Sequence, residues 1–130
     1  MHEKKLAGKT ALITGASKGL GKAMALSLAE AGAQIALVSR DQAKLEGVAG
    51  EIRERGGKAD VFRADVSREA DVSALEKEVS SLFGKIQILI NNAGVNVRKP
   101  ITDFTLDEWN YVLGTNLTAA FLLCRAFVPH

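Results

Sequence analysis

The residues with the most chemical potential come early. In TGASKGLG, Thr14 to Gly21, three glycines stand at 15, 19 and 21, directly after the apolar run TALI and before a segment of helical period. A glycine loop between a strand and a helix binds phosphate, because the first turn of a helix leaves backbone N–H groups unpaired and carries a partial positive charge. Each glycine has a separate task in such a loop. Gly15 lets the chain leave the strand in a tight turn, Gly19 keeps the first helical turn bare so that a pyrophosphate can approach, and Gly21 lets helix and sheet pack closely. Gly15, Ser17, Lys18, Gly19, Leu20 and Gly21 are therefore the candidate cradle, with a ligand-free turn as the plainer reading. A triphosphate-hydrolysing loop, G-x-x-x-x-G-K-[ST], fits poorly: aligning its G-K on Gly21-Lys22 puts Ala16 and Ala23 where a glycine and a hydroxyl are needed.

A dinucleotide would need a second determinant roughly 20 residues further on, where an acidic side chain takes the ribose 2′-hydroxyl. At that place stand Ser39 and Arg40. A guanidinium suits a 2′-phosphate through paired, charge-assisted hydrogen bonds, and Lys18 in the loop can approach the same group. The expected cofactor is NADP(H), favoured over NAD(H). The alternative for Arg40 is a solvated arginine beside Asp41, itself a good helix N-cap.

The elements that must position these residues follow from hydrophobic period. Short apolar runs at 10–13, 34–38, 59–62 and 86–90 alternate with amphipathic stretches. The stripes are Leu20, Met24, Leu28 and Ala31, closed by Gly32; Leu45, Val48, Ala49 and Ile52, closed by Gly56-Gly57; and Val72, Leu75, Val79 and Leu82, closed by Gly84. Near-continuous apolar strands with helical crossovers imply a parallel sheet buried on both faces. The expected fold is α/β, a Rossmann-like doubly wound sheet of four strands in the order 3-2-1-4 with flanking helices, forming one domain over residues 1–130. Such a sheet binds its ligand in the crevice at the carboxyl ends of strands one and four. The loop NVRKPITDF then leads to a helix containing Trp109 and Tyr111.

Composition narrows the classes. A net charge of +2 without a block of like charges points to no nucleic acid and no membrane partner. The apolar run near the N-terminus is too short for a signal-peptide core, and Leu117 to Val128 is interrupted by Thr118 and Arg125. With Cys124 alone, no intrachain disulfide forms and a cytoplasmic setting is expected. His2 and His130 form no cluster with Cys124, so no metal site is expected.

Four motifs in register make the chain similar to the short-chain dehydrogenase/reductase family almost from end to end: T-G-x-x-x-G-x-G at Thr14 to Gly21, Asp65-Val66, N-N-A-G at Asn91 to Gly94, and Thr115-Asn116-Leu117. Within the family it most resembles the bacterial β-ketoacyl reductases and the sugar- or polyol-type dehydrogenases. The resemblance implies that Asp65 and the Val66 backbone hold the adenine edge, that Asn92, Ala93 and Gly94 pass beneath the adenosine ribose, and that Asn116 belongs to the catalytic group through a water-linked proton relay. Plainer roles stand beside these: Asp65 as cap of a helix beginning near Ser67, Asn91 and Asn92 as turn formers, Asn116 as a helix-bonding polar residue.

The family's acid is a tyrosine with a lysine four residues later, helped by a serine from strand five. The sole tyrosine, Tyr111, precedes Asn116 and is followed four residues later by Thr115, so it reads as a structural aromatic. The resemblance thus implies an NADP(H)-binding portion of a carbonyl or alcohol oxidoreductase, cut before strand five and catalytically incomplete. The other function class is a stand-alone NADP-binding or oligomerising module. The last helix places Leu117, Phe121, Cys124 and Val128 on one face and Ala120, Leu123 and Phe127 on another. A helix apolar on both sides predicts self-association through residues 117–128, or through the free edge of strand four.

Overall fold

The computed structural model describes residues 4–94 and 99–129; residues 1–3, 95–98 and 130, among them His2, His130 and the first three residues of the NVRKPITDF loop, lie outside them. Four strands, β1 (Thr10–Thr14), β2 (Gln34–Ser39), β3 (Lys58–Arg63) and β4 (Ile88–Ile90), form one sheet in the order β3-β2-β1-β4, every pairing parallel. Helices α1 (Gly19–Glu30), α2 (Gln42–Glu54) and α3 (Glu69–Phe83) make the crossovers. A 3₁₀ turn, Ile101–Asp103, precedes α4 (Leu106–Leu113), which runs through a widened π-helical turn, Gly114–Thr118, into α5 (Ala119–Phe127).

Period-two alternation divides each strand between two cores, as a sheet covered on both faces requires. Ala11, Ile13, Ile35 and Leu37 cluster with the buried faces of α1 and α2, while Leu12, Ala36, Val38 and Phe62 cluster with α3 and α5. The α2 stripe Leu45, Val48, Ala49 and Ile52 is buried throughout. Gly32, at a φ of 105°, turns the chain off α1, and its amide donates to the Ala29 carbonyl at 3.0 Å. Gly84 ends α3 at a φ of 73°.

The structure corrects three details. In α1 the fully buried positions are Gly21, Ala25 and Ala29; Met24 and Leu28 of the expected stripe pack against the core partly buried, and Leu20 is 69% exposed. Small residues let this helix lie close to the sheet, which turns its leucines toward the flanks. Leu82, at the end of the α3 stripe, is likewise exposed because only Val72, Leu75 and Val79 reach the core. β4 is shorter than the run IQILI: the Thr10 amide donates to the Gln87 side chain at 2.7 Å, so the ladder with β1 starts one residue later.

Thr105 and Glu108 form a reciprocal capping box at the start of α4. On α5, Ala119, Leu122, Leu123 and Phe127 are buried against the sheet layer. The opposite side keeps Leu117, Phe121, Cys124 and Val128 exposed, the face singled out by the sequence. Among the described residues no helix is long and apolar enough to cross a membrane.

Candidate functional site

A cleft of about 240 Å³ opens at the carboxyl ends of the strands. The glycine loop forms one wall with Gly15, Ser17 and Lys18, and the end of β2 forms another with Ser39 and Arg40. Asp65 and Val66 after β3, with Ala93 and Gly94 after β4, complete it. Residues from four separate strand ends meet there because parallel strands all point their carboxyl ends the same way.

The glycines behave as their positions demand. Gly15 sits at a φ of 62° and Gly19 at 58°, both in the left-handed region that other residues avoid. A methyl built on Gly19 would meet nothing within 4 Å, so the cradle mouth is open. A methyl on Gly21 would collide with the Gly15 carbonyl oxygen and lie 2.5 Å from Asn92 Nδ2. Lys18 is the N-cap of α1, and no side chain caps that helix. The first turn of α1, which follows directly on the cleft residues Ser17 and Lys18, therefore lacks the side-chain partner that Asp41 supplies to α2, where Asp41 Oδ1 accepts from the Lys44 amide at 3.1 Å. That is the geometry an anionic group needs.

Behind the loop, β1 and β4 are tied together. The Thr14 hydroxyl, almost fully buried, accepts from the amides of Asn92 and Ala93, both at 2.9 Å, and Asn92 Nδ2 donates to the Gly15 carbonyl at 3.2 Å. Asn92 and Gly21 thus hold the loop's shape from behind and do not line the cleft; Gly19 and Leu20 stand outside its lining as well. Asn91 is exposed, with its amide 3.7 Å from Cys124 Sγ.

Asp65 does not cap α3 directly, since that helix begins at Glu69 after Arg68. Its Oδ1 accepts from the Ser67 hydroxyl at 2.6 Å and the Ser67 amide at 3.1 Å, and its own amide donates to Asp71. Burial pushes the Asp65 carboxyl up, but the two Ser67 hydrogen bonds, with the Arg40 and Arg68 charges behind them, outweigh it and hold the group below the usual carboxylate value. It is an ionised, oriented acceptor on the cleft wall.

Asn116 lies in the π-helical turn and is exposed; a methyl on Gly94 would come 3.2 Å from its Oδ1. Its neighbour Thr115 lines the cleft instead. Widened turns of this kind recur where a helix must aim side chains at a site. Tyr111 is 46% exposed on α4 and does not line the cleft. Six lining residues, Thr14, Val38, Asp41, Lys44, Ala64 and Thr115, are not among the site residues expected from the motifs. Thr14 and Thr115 lie inside motifs that were quoted; Lys44 has no motif to announce it. Among the described residues no group of three histidines, cysteines or carboxylates could hold a metal ion.

The model of the short chain dehydrogenase family matches residues 9–130. Ketoacyl reductase HetN of Nostoc sp. is 39% identical over 95% of this chain and 43% of its own length. Glucose 1-dehydrogenase of Gluconobacter oxydans is 37% identical over 99% of this chain and 49% of its own. Among solved structures, a metagenomic short-chain oxidoreductase in complex with NADP superposes with a TM-score of 0.92 at 38% identity, covering 95% of this chain and 57% of that one. L-Sorbose reductase from Gluconobacter frateurii, complexed with NADPH and L-sorbose, gives 0.93 at 34% identity over 98% of this chain and 49% of that one. The chain spans about half the length of the curated relatives it matches.

Proposed function

The chain belongs to the short-chain dehydrogenase family, and from that premise we propose that it is the NADP(H)-binding portion of a carbonyl or alcohol oxidoreductase, catalytically incomplete within these 130 residues. The observation that carries this reading is the uncapped N-terminus of α1 opening on a cleft that also holds Lys18 and Arg40. When bound, the nicotinamide supplies or accepts the hydride of the reaction.

The chain's own residues would do the holding. The α1 amides take the pyrophosphate, Arg40 with Lys18 and Ser39 takes the 2′-phosphate, and ionised Asp65 accepts from an adenine amino group beside the Val66 backbone. Ala93 and Gly94 support the ribose from below, the Ala93 amide donating to the Thr14 hydroxyl. Asn116 would steady a proton relay, while the proton donor itself, a tyrosine paired with a lysine four residues on, does not occur in this sequence. A cytoplasmic setting belongs to the same reading and rests on the single cysteine.

Two measurements test this. Calorimetry is expected to show saturable NADPH binding, and a panel of aldehydes and ketones should be reduced no faster than without protein. Failure to bind would remove the cradle assignment; turnover abolished by Tyr111→Phe would make Tyr111 the acid after all. A stand-alone module without a reaction of its own would share the binding result, and a longer coding frame with a downstream serine and Tyr-x-x-x-Lys selects against it.

The exposed face of Leu117, Phe121, Cys124 and Val128 is assigned to self-association; Leu106 and Trp109 on α4 are exposed as well. Light scattering at tens of micromolar, roughly the range of a weak dimer, should give a mass above that of one chain. A stable monomer would leave the face without this role.

A further inference from the structure

Lys44 sits in the first turn of α2, where a cation opposes the partial positive charge of the helix end; the N-cap Asp41 carries a carboxylate, but the turn itself holds no acidic residue. Local helix chemistry would favour Asp or Glu at this place, so the lysine breaks a local rule, and such breaks concentrate where a protein does something other than fold. Its surroundings supply the reason. Lys44 lines the same cleft as Lys18 and Arg40, which come from the glycine loop and the end of β2. Three cations from three elements therefore line one cleft.

The two carboxylates in that lining are already committed. Asp41 Oδ1 caps α2 through the Lys44 amide, and Asp65 Oδ1 holds the Ser67 turn. Neither Lys18 nor Arg40 forms an ion pair among the described residues. The Lys44 ammonium is 3.9 Å from Asp41 Oδ2, beyond hydrogen-bond length, and its side chain is 58% exposed. A contact so loose leaves it free to turn toward a dianion, a stronger attractor than a carboxylate whose other oxygen is engaged.

Resting on the NADP(H) reading above, we infer that Lys44 is a third cation of the 2′-phosphate pocket and a specificity determinant for the phosphorylated cofactor. Arg40 provides the planar fork; Lys44 provides a mobile point charge from a separate element, and the two together neutralise a phosphate more fully than either could alone.

The probes are 2′,5′-ADP and 5′-ADP, which engage only the adenosine half of the cleft. Lys44→Met keeps the apolar stem and removes the charge, and Lys77→Met, on the exposed side of α3, is its charge-matched control. Lys44→Met is expected to weaken 2′,5′-ADP by about fivefold, as for one partly exposed charge-assisted contact. Binding of 5′-ADP should stay unchanged in both variants, Lys77→Met should bind 2′,5′-ADP like the parent, and Lys44→Arg should restore most of the loss. Parent-like affinity of Lys44→Met for 2′,5′-ADP, or equal loss for both probes, overturns the role of Lys44. If the unsubstituted chain binds both probes equally, the NADP(H) reading itself falls and this inference with it.

Discussion

Gly21→Ala is expected to cost about 3 kcal/mol or more in urea denaturation, the upper range for overpacking a closed site. The new methyl would be driven into the Gly15 carbonyl oxygen, a backbone atom that cannot rotate away, and toward Asn92 Nδ2 at 2.5 Å. That same Asn92 amide donates to Gly15 at 3.2 Å, so the methyl also separates a donor from its acceptor and loosens the tie between the ends of β1 and β4. Relief requires α1 to lift away from the sheet, which moves the first-turn amides proposed above to take the pyrophosphate. NADPH binding should therefore disappear along with the stability. Gly47→Ala, in the interior of α2 with nothing within 4 Å of the added methyl, is the internal control. It should gain roughly 0.5–1 kcal/mol from helix propensity alone. A Gly21→Ala chain with an unshifted midpoint would mean that the helix and loop can separate at no cost, against the close packing described above.

The contrast between these glycines shows what could be read from sequence. The motif spacing identified Gly21 as the close-approach residue, yet the periodicity of the same helix pointed to Leu20, Met24 and Leu28. Period analysis weights large apolar side chains, whereas a helix pressed onto a sheet buries its smallest ones, here Gly21, Ala25 and Ala29. Strand order, the α2 stripe and the capping role of Asp41 were legible because each rests on a local pattern with one physical meaning. Lys44 was not. One turn into a helix, a lysine reads as solvated surface, and only the parallel sheet brings that turn beside Lys18, 26 residues earlier in the sequence. Thr14 escaped for a different reason: threonine in a strand signals β propensity, and its hydroxyl acquires a task only when β4 arrives beside β1 with two amides to satisfy. Asp65 lies between these cases. Its place after β3 was readable, but the Ser67 turn that orients it needs the observed backbone.

Arg40→Ala is expected to abolish most of the discrimination between NADPH and NADH. Paired charge-assisted hydrogen bonds from a guanidinium to a phosphate contribute on the order of 2–3 kcal/mol in a partly exposed site, roughly 30- to 150-fold in affinity. NADPH should weaken by that factor, whereas NADH, which presents a hydroxyl at the same place, should change by less than about twofold. Arg40→Lys should fall between, because an ammonium keeps the charge and loses the fork. Salt sharpens the test: Arg40 is exposed, so raising ionic strength from about 0.05 to 0.5 M should erode the preference in the parent chain and leave the alanine variant nearly unaffected. The pH dependence has a defined sign. A phosphate monoester loses half its second charge near pH 6, so the preference for NADPH should shrink as pH falls through that value, while Asp65, held below the usual carboxylate range, stays ionised and keeps the adenine side of the cleft constant. Equal loss of both cofactors in Arg40→Ala would place the arginine's effect on the shared part of the ligand or on the fold, and the 2′-phosphate assignment would then have to be withdrawn, because the guanidinium that lines the cleft would be serving another purpose.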